Sequence, residues 1–225
     1  MTKVRHAIES VCLSIDDDEA TQSFSDWDML FRALSLASRQ TIKSPNPYAD
    51  CFPGDHYRLL SGLMLELRPQ VIVDIGTHFG TGTRVFLDYA PGAQVHTFDI
   101  TPWDKLDATY LTHKDFVEHG GFLTQYIADL SDPNVFESFE EILDSADFIM
   151  CDGPKDGRFE NKFYTLLSTL NFSEKPRWLF LDDIRFMTEI ANWRAVKNPK
   201  IDLTSFGHYS GSGLVNISEG FEFDY

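Results

Sequence analysis

The sequence is poor in cysteine, has no basic surplus and contains no long apolar run. Its three cysteines, Cys12, Cys51 and Cys151, are odd in number and widely separated in 225 residues. They make neither a disulfide framework nor a zinc-ligand spacing, and they point to a reduced, cytoplasmic setting. No stretch approaches the roughly 18–20 apolar residues of a membrane-spanning helix. The opening MTKVRHAIESVCLSIDDDEA also lacks the apolar segment of a secretory signal. With 19 Lys and Arg against 35 Asp and Glu, the net charge is −16, which argues against a binder of nucleic-acid backbones. The expected partner is a small molecule held by a local site, with neither nucleic acid nor membrane involved. Neither internal repeats nor low-complexity tracts occur.

What is present is a rhythm. The first fifty residues combine a helical pattern, WDMLFRALSLA (27–37), with a breaker cluster, SPNPYADCFPGD (44–55). Asp55 is placed to cap a helix through HYRLLSGLMLELRP. Short apolar runs then alternate with helical patterns: VIVDIG (71–76), QVHTFDI (94–100), FLTQYIAD (122–129), DFIMCD (147–152) and RWLFLDD (177–183). Thr101-Pro102 and Asp132-Pro133 each carry a cap followed by proline, a helix-start signal, and RFMTEIANWRAV (185–196) completes the helical patterns. Alternation of this kind predicts an α/β fold with a mostly parallel sheet and helices on both faces. The tail differs. IDLTSFG (201–207) and SGLVNI (212–217) have hairpin spacing, so an antiparallel C-terminal hairpin brings the sheet to about seven strands. The expected division is an N-terminal helical extension or lid over 1–54 and a ligand-binding domain over 55–225.

Ligands of open parallel sheets bind beyond the carboxyl ends of the strands, and here every such end carries acid: Asp74, Asp99, Asp129, Asp152 and the pair Asp182-Asp183. Any one of them could serve as a helix cap; five in succession are harder to explain that way. The loop after the first strand reads DIGTHFGTG, with glycines at 76, 80 and 82. Its G-x3-G-x-G spacing is not the dinucleotide fingerprint, and it lacks the Lys-Ser/Thr of a phosphate-cradling loop. Asp99, about 20 residues on, is placed to take a ribose's hydroxyls. An acid-lined loop suits a nucleoside with a cationic or zwitterionic tail, and S-adenosylmethionine, with its sulfonium and ammonium, is such a ligand.

VIVDIGTHFGTGT, the acid of HTFDI, CDGPKD and FLDD resemble the class I S-adenosylmethionine-dependent O-methyltransferases, and among them the metal-dependent catechol O-methyltransferase type, over roughly residues 55–217. The resemblance implies a Rossmann-like methyltransferase fold. It implies that Gly76, Thr77, His78, Gly80 and Gly82 line the methionine part of the cofactor with Asp74 nearby, that Asp99 binds the ribose, and that Ala128 and Asp129 lie beside the adenine. Asp152, Asp182 and Asp183 match the positions that hold Mg2+ or another divalent cation, and Lys155 matches the general base. The chain departs from the pattern at Asp183, often Asn in the family, and at Gly153-Pro154, where bulkier residues often flank the adenine. The tail HYSGSGLVNI is closer to bacterial enzymes acting on sugars or secondary metabolites.

Three carboxylates on adjacent strand ends repel one another unless a cation joins them, and magnesium prefers such oxygen donors. Beside that cation and partly desolvated, Lys155 is expected to have a lowered pKa and to act as a base, with Asp152 the second catalytic residue. His208, Tyr209 and Arg58 are candidates for contact with a hydroxylated acceptor. The first fifty residues are expected to shape its pocket or a homodimer contact. Two other readings stay open: a metal-independent methyltransferase, and a non-catalytic protein that binds an adenosine ligand.

Overall fold

The β-branched and apolar runs form strands because their alternating side chains meet helices on two sides of one sheet. In the computed structural model, which describes residues 24–42, 56–118, 122–207 and 209–225, the strands are β1 (Val71–Ile75), β2 (Gln94–Asp99), β3 (Leu123–Ile127), β4 (Phe148–Cys151), β5 (Trp178–Asp182), β6 (Lys200–Asp202) and β7 (Ser212–Asn216). They lie in the order β3-β2-β1-β4-β5-β7-β6. β1 to β5 pair in parallel, while β7 runs antiparallel to both β5 and β6. The chain therefore reverses its direction of sheet growth between β1 and β4, and a crevice opens there at the carboxyl ends. β6 is parallel to the first five strands, so the 203–211 connection to β7 opens on the same rim. No described helix is long and apolar enough to cross a membrane.

The helices are α1 (Trp27–Ala37), α2 (His56–Leu67), α3 (Thr81–Tyr89), α4 (His113–Glu118), α5 (Pro133–Glu137), α6 (Glu140–Ser145), α7 (Arg158–Leu167) and α8 (Ile190–Ala195). Alternation along the strands splits the core in two. Ile72, Val95, Phe148, Met150, Phe180 and Leu214 face one side, with Leu30, Leu60 and Phe86 of α1 to α3. Val73, Phe98, Ile149, Cys151, Leu179 and Val215 face the other, with Phe136, Leu143, Phe163 and Trp193 of α5 to α8. Trp178 and Phe180 are core residues, as expected. Helix α1 presses close on α2: a Cβ at Gly62 would stand 2.2 Å from the Ala33 carbonyl oxygen. Residues 24–37 thus add Phe24, Leu30 and Ala33 to the same core as the sheet.

The structure differs from expectation in three places, and at two of them side chains claim backbone groups that a helix or strand would need. Thr101-Pro102 opens no α-helix, only a 3-10 turn at Trp103–Lys105. Asp99 takes the Thr101 N–H, and the Gln125 amide holds the Thr101 carbonyl and the Trp103 N–H. Of the helix expected over 185–196 only α8 forms; residues before it make turns, with the Phe186 N–H donated to the Asp183 carbonyl and the Glu189 N–H to the Phe186 carbonyl, both at 2.8 Å. The hairpin strand expected to reach residue 207 ends at Asp202, whose carboxylate accepts the Thr204 N–H and turns the chain. Asp132 does cap α5, accepting from the N–H groups of Asn134 and Val135. The expected cap Asp55, Cys12, Cys51 and the DDDE run lie outside the described residues.

Candidate active site

The glycine loop leaves β1 by way of two residues whose conformation and surroundings exclude a side chain. Gly76 has φ +102, and a Cβ there would stand 2.0 Å from the Asp152 carbonyl oxygen. Gly80, with φ +77, starts α3 against Leu111, 2.4 Å from where its Cβ would be. Gly82 differs: a Cβ there meets only ordinary contacts, the nearest the Met150 sulfur at 3.6 Å. Beneath the loop, Asp74 is buried and accepts hydrogen bonds from the hydroxyls of Thr83 (2.5 Å) and Thr97 (3.0 Å). Burial is the main cause that pushes its pKa up, to about 7, against the lowering by those two bonds. The Thr77 hydroxyl joins the same network, 2.7 Å from that of Thr97. Asp74 and the Thr77 side chain therefore support the loop from below.

Above the loop lies a cleft of about 660 Å³ whose lining includes Gly76, His78, Asp99, Ala128, Asp129 and Asp152. Six of the expected site residues share this cavity. Asp99 fixes the loop as well as facing the cleft: its two oxygens accept the N–H groups of His78 (2.8 Å) and Thr101 (2.9 Å). Asp129 accepts the Ser131 N–H at 2.9 Å. The far wall comes from the start of α7, with Arg158, Phe159 and Lys162, none of which the sequence reading assigned to the site. Gly153 and Pro154 form the wall beyond β4.

At one end of the cleft the three remaining acids converge. Asp152 follows β4, Asp182 ends β5, and Asp183 follows in the left-handed region with φ +61. One carboxylate oxygen from each lies within 4.8 Å of the other two. These are hard oxygen donors on a spacing that a divalent cation can bridge. Lys155 also has a left-handed backbone, φ +58. Its Nζ donates to the Asp182 carbonyl oxygen (3.1 Å) and lies 3.2 Å from Asp152 Oδ1 and 3.9 Å from Asp183 Oδ2. Burial pulls the Lys155 pKa down, but the attraction of Asp152, Asp182 and Asp183 outweighs it and holds the amine as an ammonium, well above its ordinary value. Among the described residues four non-glycine residues have positive φ, and three of them, His78, Lys155 and Asp183, belong to this rim, a clustering of backbone strain that marks functional sites.

The candidate acceptor residues are placed unequally. Arg58 sits in the first turn of α2, off the cleft; next to it, His56 is buried with its Nδ1 3.8 Å from Asp182 Oδ1. Tyr209 is 67% exposed on the 203–211 connection. His208 lies outside the described residues. Phe186, Met187 and Phe206, also exposed, belong to the loops that follow β5 and β6 at this rim. Cys151 is buried beside the site, and burial pushes its thiol up to about 12, consistent with a packing role rather than a nucleophile.

The comparison that decides the architecture is with a solved Klebsiella pneumoniae protein assigned as an O-methyltransferase. It matches 97% of this chain and 100% of its own length with a TM-score of 0.50 at 13% identity. The chain has a Rossmann-like methyltransferase fold. A Podospora anserina methyltransferase, PaMTH1, bound to S-adenosylhomocysteine, matches 93% of this chain and 94% of its own at 12% identity and TM-score 0.49. MycE, a methyltransferase of the mycinamycin biosynthetic pathway solved with Mg and S-adenosylhomocysteine, matches 68% of this chain at 14% identity and TM-score 0.40. This chain spans only 37% of MycE's length. No protein-family model and no curated protein sequence matches the chain.

Proposed function

We propose that this protein transfers a methyl group from S-adenosylmethionine to a hydroxyl of a small acceptor, with a divalent cation held by Asp152, Asp182 and Asp183. The observation that carries the reading is the meeting of those three carboxylates with Lys155 at the end of a cleft entered over Gly76, beside Asp99. In this reading the methionine end of the cofactor lies along Gly76, Thr77, His78, Gly80 and Gly82. Asp99 keeps lone pairs for the ribose, and Ala128 with Asp129 borders the adenine. The sulfonium and ammonium of the donor suit an acid-lined cleft.

The carboxylates fit a cation by donor type and spacing, and once bound it supplies positive charge that makes an acceptor hydroxyl more acidic. Lys155 binds and orients Asp152 and the Asp182 carbonyl in the arrangement described. To take a proton it must first lose the hold of the carboxylates on its charge, which a shared cation would weaken. Transfer then forms an oxygen–methyl bond and breaks the sulfur–methyl bond; the hydroxyl proton leaves toward Lys155 or solvent. Positioning the two reactants can account for about 7–11 kcal/mol of the barrier. The exposed Phe186, Met187, Phe206 and Tyr209 offer apolar surface to an acceptor, whether a sugar-bearing or an aromatic secondary metabolite. Arg58, His208 and residues 1–54 are proposed to complete its pocket, with a homodimer contact as the other use of that N-terminal segment.

A metal-independent reading has one observation in its favour: the Lys155 ammonium already stands within 4 Å of two of the carboxylates and offsets part of their charge. One experiment separates the two. Titration calorimetry should detect S-adenosylmethionine binding, and S-adenosylhomocysteine release should be followed over a panel of polyhydroxylated compounds before and after EDTA treatment. Turnover lost with EDTA and restored by Mg2+ supports the metal-assisted reading, turnover that survives supports the alternative, and failure to bind the cofactor overturns both.

A further inference from the structure

Resting on that reading, we propose that Glu160 and Thr188 are positioning residues that clamp the Lys155 backbone on both sides of its Cα and so aim its amine at the carboxylate cluster. Glu160 Oε1 accepts the Lys155 N–H at 3.0 Å, and the Thr188 hydroxyl donates to the Lys155 carbonyl at 2.7 Å. The two come from different elements, α7 and the turn before α8, and neither lines the cleft. Their target is a residue with φ +58, a conformation that costs a non-glycine residue roughly 1–2 kcal/mol and persists only where its surroundings over-determine it.

The Glu160 carboxylate takes its own backbone N–H as well as that of Lys155. An acid in the first turn of a helix ordinarily reaches back to the N-cap residue, here Gly157. That end of α7 is already served by Asp156, whose Oδ1 accepts the N–H groups of Arg158 and Phe159. Glu160 turns under the loop instead. It is 1% exposed, its Oε2 is buried without a hydrogen-bond partner among the described residues, and its Oε1 would stand 2.7 Å from a Cβ at Gly153. A carboxylate buried so incompletely satisfied lowers stability, which makes sense for a group retained to shape the loop. Thr188 is exposed and packs its carbonyl 3.0 Å from where a Cβ on Gly157 would be, so the turn before α8 is fitted to this loop along its length. Asn192 adds a contact to the same loop by donating to the Gly157 carbonyl at 3.5 Å.

The test pairs variants that remove each hydrogen bond with variants that keep it: Glu160→Ala against Glu160→Gln, and Thr188→Val against Thr188→Ser. Thr188→Val is nearly isosteric at an exposed position and keeps the proposal testable if Glu160→Ala does not fold. Misplacing a reacting group by about 1 Å can cost on the order of 100-fold. The expected result is a loss of that order in kcat for Glu160→Ala and Thr188→Val, with unchanged cofactor affinity and acceptor KM, while Glu160→Gln and Thr188→Ser stay near the unsubstituted enzyme. Crystal structures of the metal-free variants read the clamp without activity. Lys155 should leave the left-handed region, and its Nζ should withdraw from Asp152, in the Ala and Val variants only. Lys155 unmoved in both, or equal losses in Thr188→Val and Thr188→Ser, overturns the proposal. If the unsubstituted protein turns over no acceptor, the methyl-transfer reading fails, and the crystal structures still decide the clamp.

Discussion

A buried cation and a half-buried one sit at opposite ends of the same pair of strands, and they are held in opposite ways. Arg177, just before β5, is fully buried at the amino end. Its guanidinium donates to the carbonyls of Ala146 (2.8 Å), Asp144 and Ser173 and lies over the Phe172 ring. Lys155, at the carboxyl end, meets one carbonyl and a cluster of carboxylates from a left-handed backbone. Burial lowers the pKa of Arg177, with only a partial offset from Asp144, whereas the acids around Lys155 raise its pKa despite burial. Three carbonyls hold the planar Arg177 cation, with one ion pair to Asp144 Oδ1 at 3.4 Å, and such a site is structural. Uncompensated negative charge around a movable point charge leaves room for another cation and for chemistry.

Substitution should separate these two roles. The largest effect is expected for Asp152→Ala, which removes a member of the carboxylate cluster. Turnover should fall below detection, and Mg2+ affinity measured by calorimetry should drop by at least about 100-fold. Arg177→Ala should act only on stability, costing about 1–3 kcal/mol in urea unfolding for each carbonyl acceptor left buried without a donor. Activity of the folded fraction should be unchanged, and a selective loss of kcat would break the contrast between the ends. Lys155→Ala should spare cofactor affinity and reduce turnover. It should also make stability strongly Mg2+-dependent, since the carboxylates then lack their counter-charge; a melting temperature indifferent to Mg2+ would argue against a shared cation.

A smaller test concerns Asp74. Its folded pKa, about 7, lies above the usual carboxylate value of 3.8, so between those pH values the unfolded chain releases this proton while the folded chain keeps it. Stability should therefore fall as pH rises from about 4 to 7 and level off above. Asp74→Asn should remove that part of the slope in thermal melts, and an unchanged slope would contradict the assignment. The smallest effect is expected at Gly82. Gly82→Ala meets no clash within the protein and should leave stability within about 0.5 kcal/mol, whereas Gly76→Ala, with its Cβ 2.0 Å from the Asp152 carbonyl, should disrupt the loop. A loss of cofactor affinity in Gly82→Ala without loss of stability would sharpen the reading that the donor lies along that glycine.

The parts of the site legible in sequence were those attached directly to strand ends. Asp99, Asp129, Asp152 and Asp182 stand at or next to the ends of β2 to β5, and a parallel sheet brings such positions to one rim whatever the loops do. The Lys155 clamp was not legible. Glu160 reads as a first-turn acid and Thr188 as a residue of a continuous helix, whereas Thr188 lies in a turn before α8 with its hydroxyl on the Lys155 carbonyl. The buried pairing of Arg177 with distant carbonyls had no local signal either.

Sequence alone determined the strand–helix alternation, the C-terminal hairpin and the row of acids, because these follow from residue periodicity and from the geometry of parallel strands. Tertiary structure decided the insertion of β7 between β5 and β6, the left-handed turns at Lys155 and Asp183, and the charge state favoured at Lys155. The physical reason is distance: periodicity is set between neighbours along the chain, while strain and electrostatics are set by groups that meet only after folding.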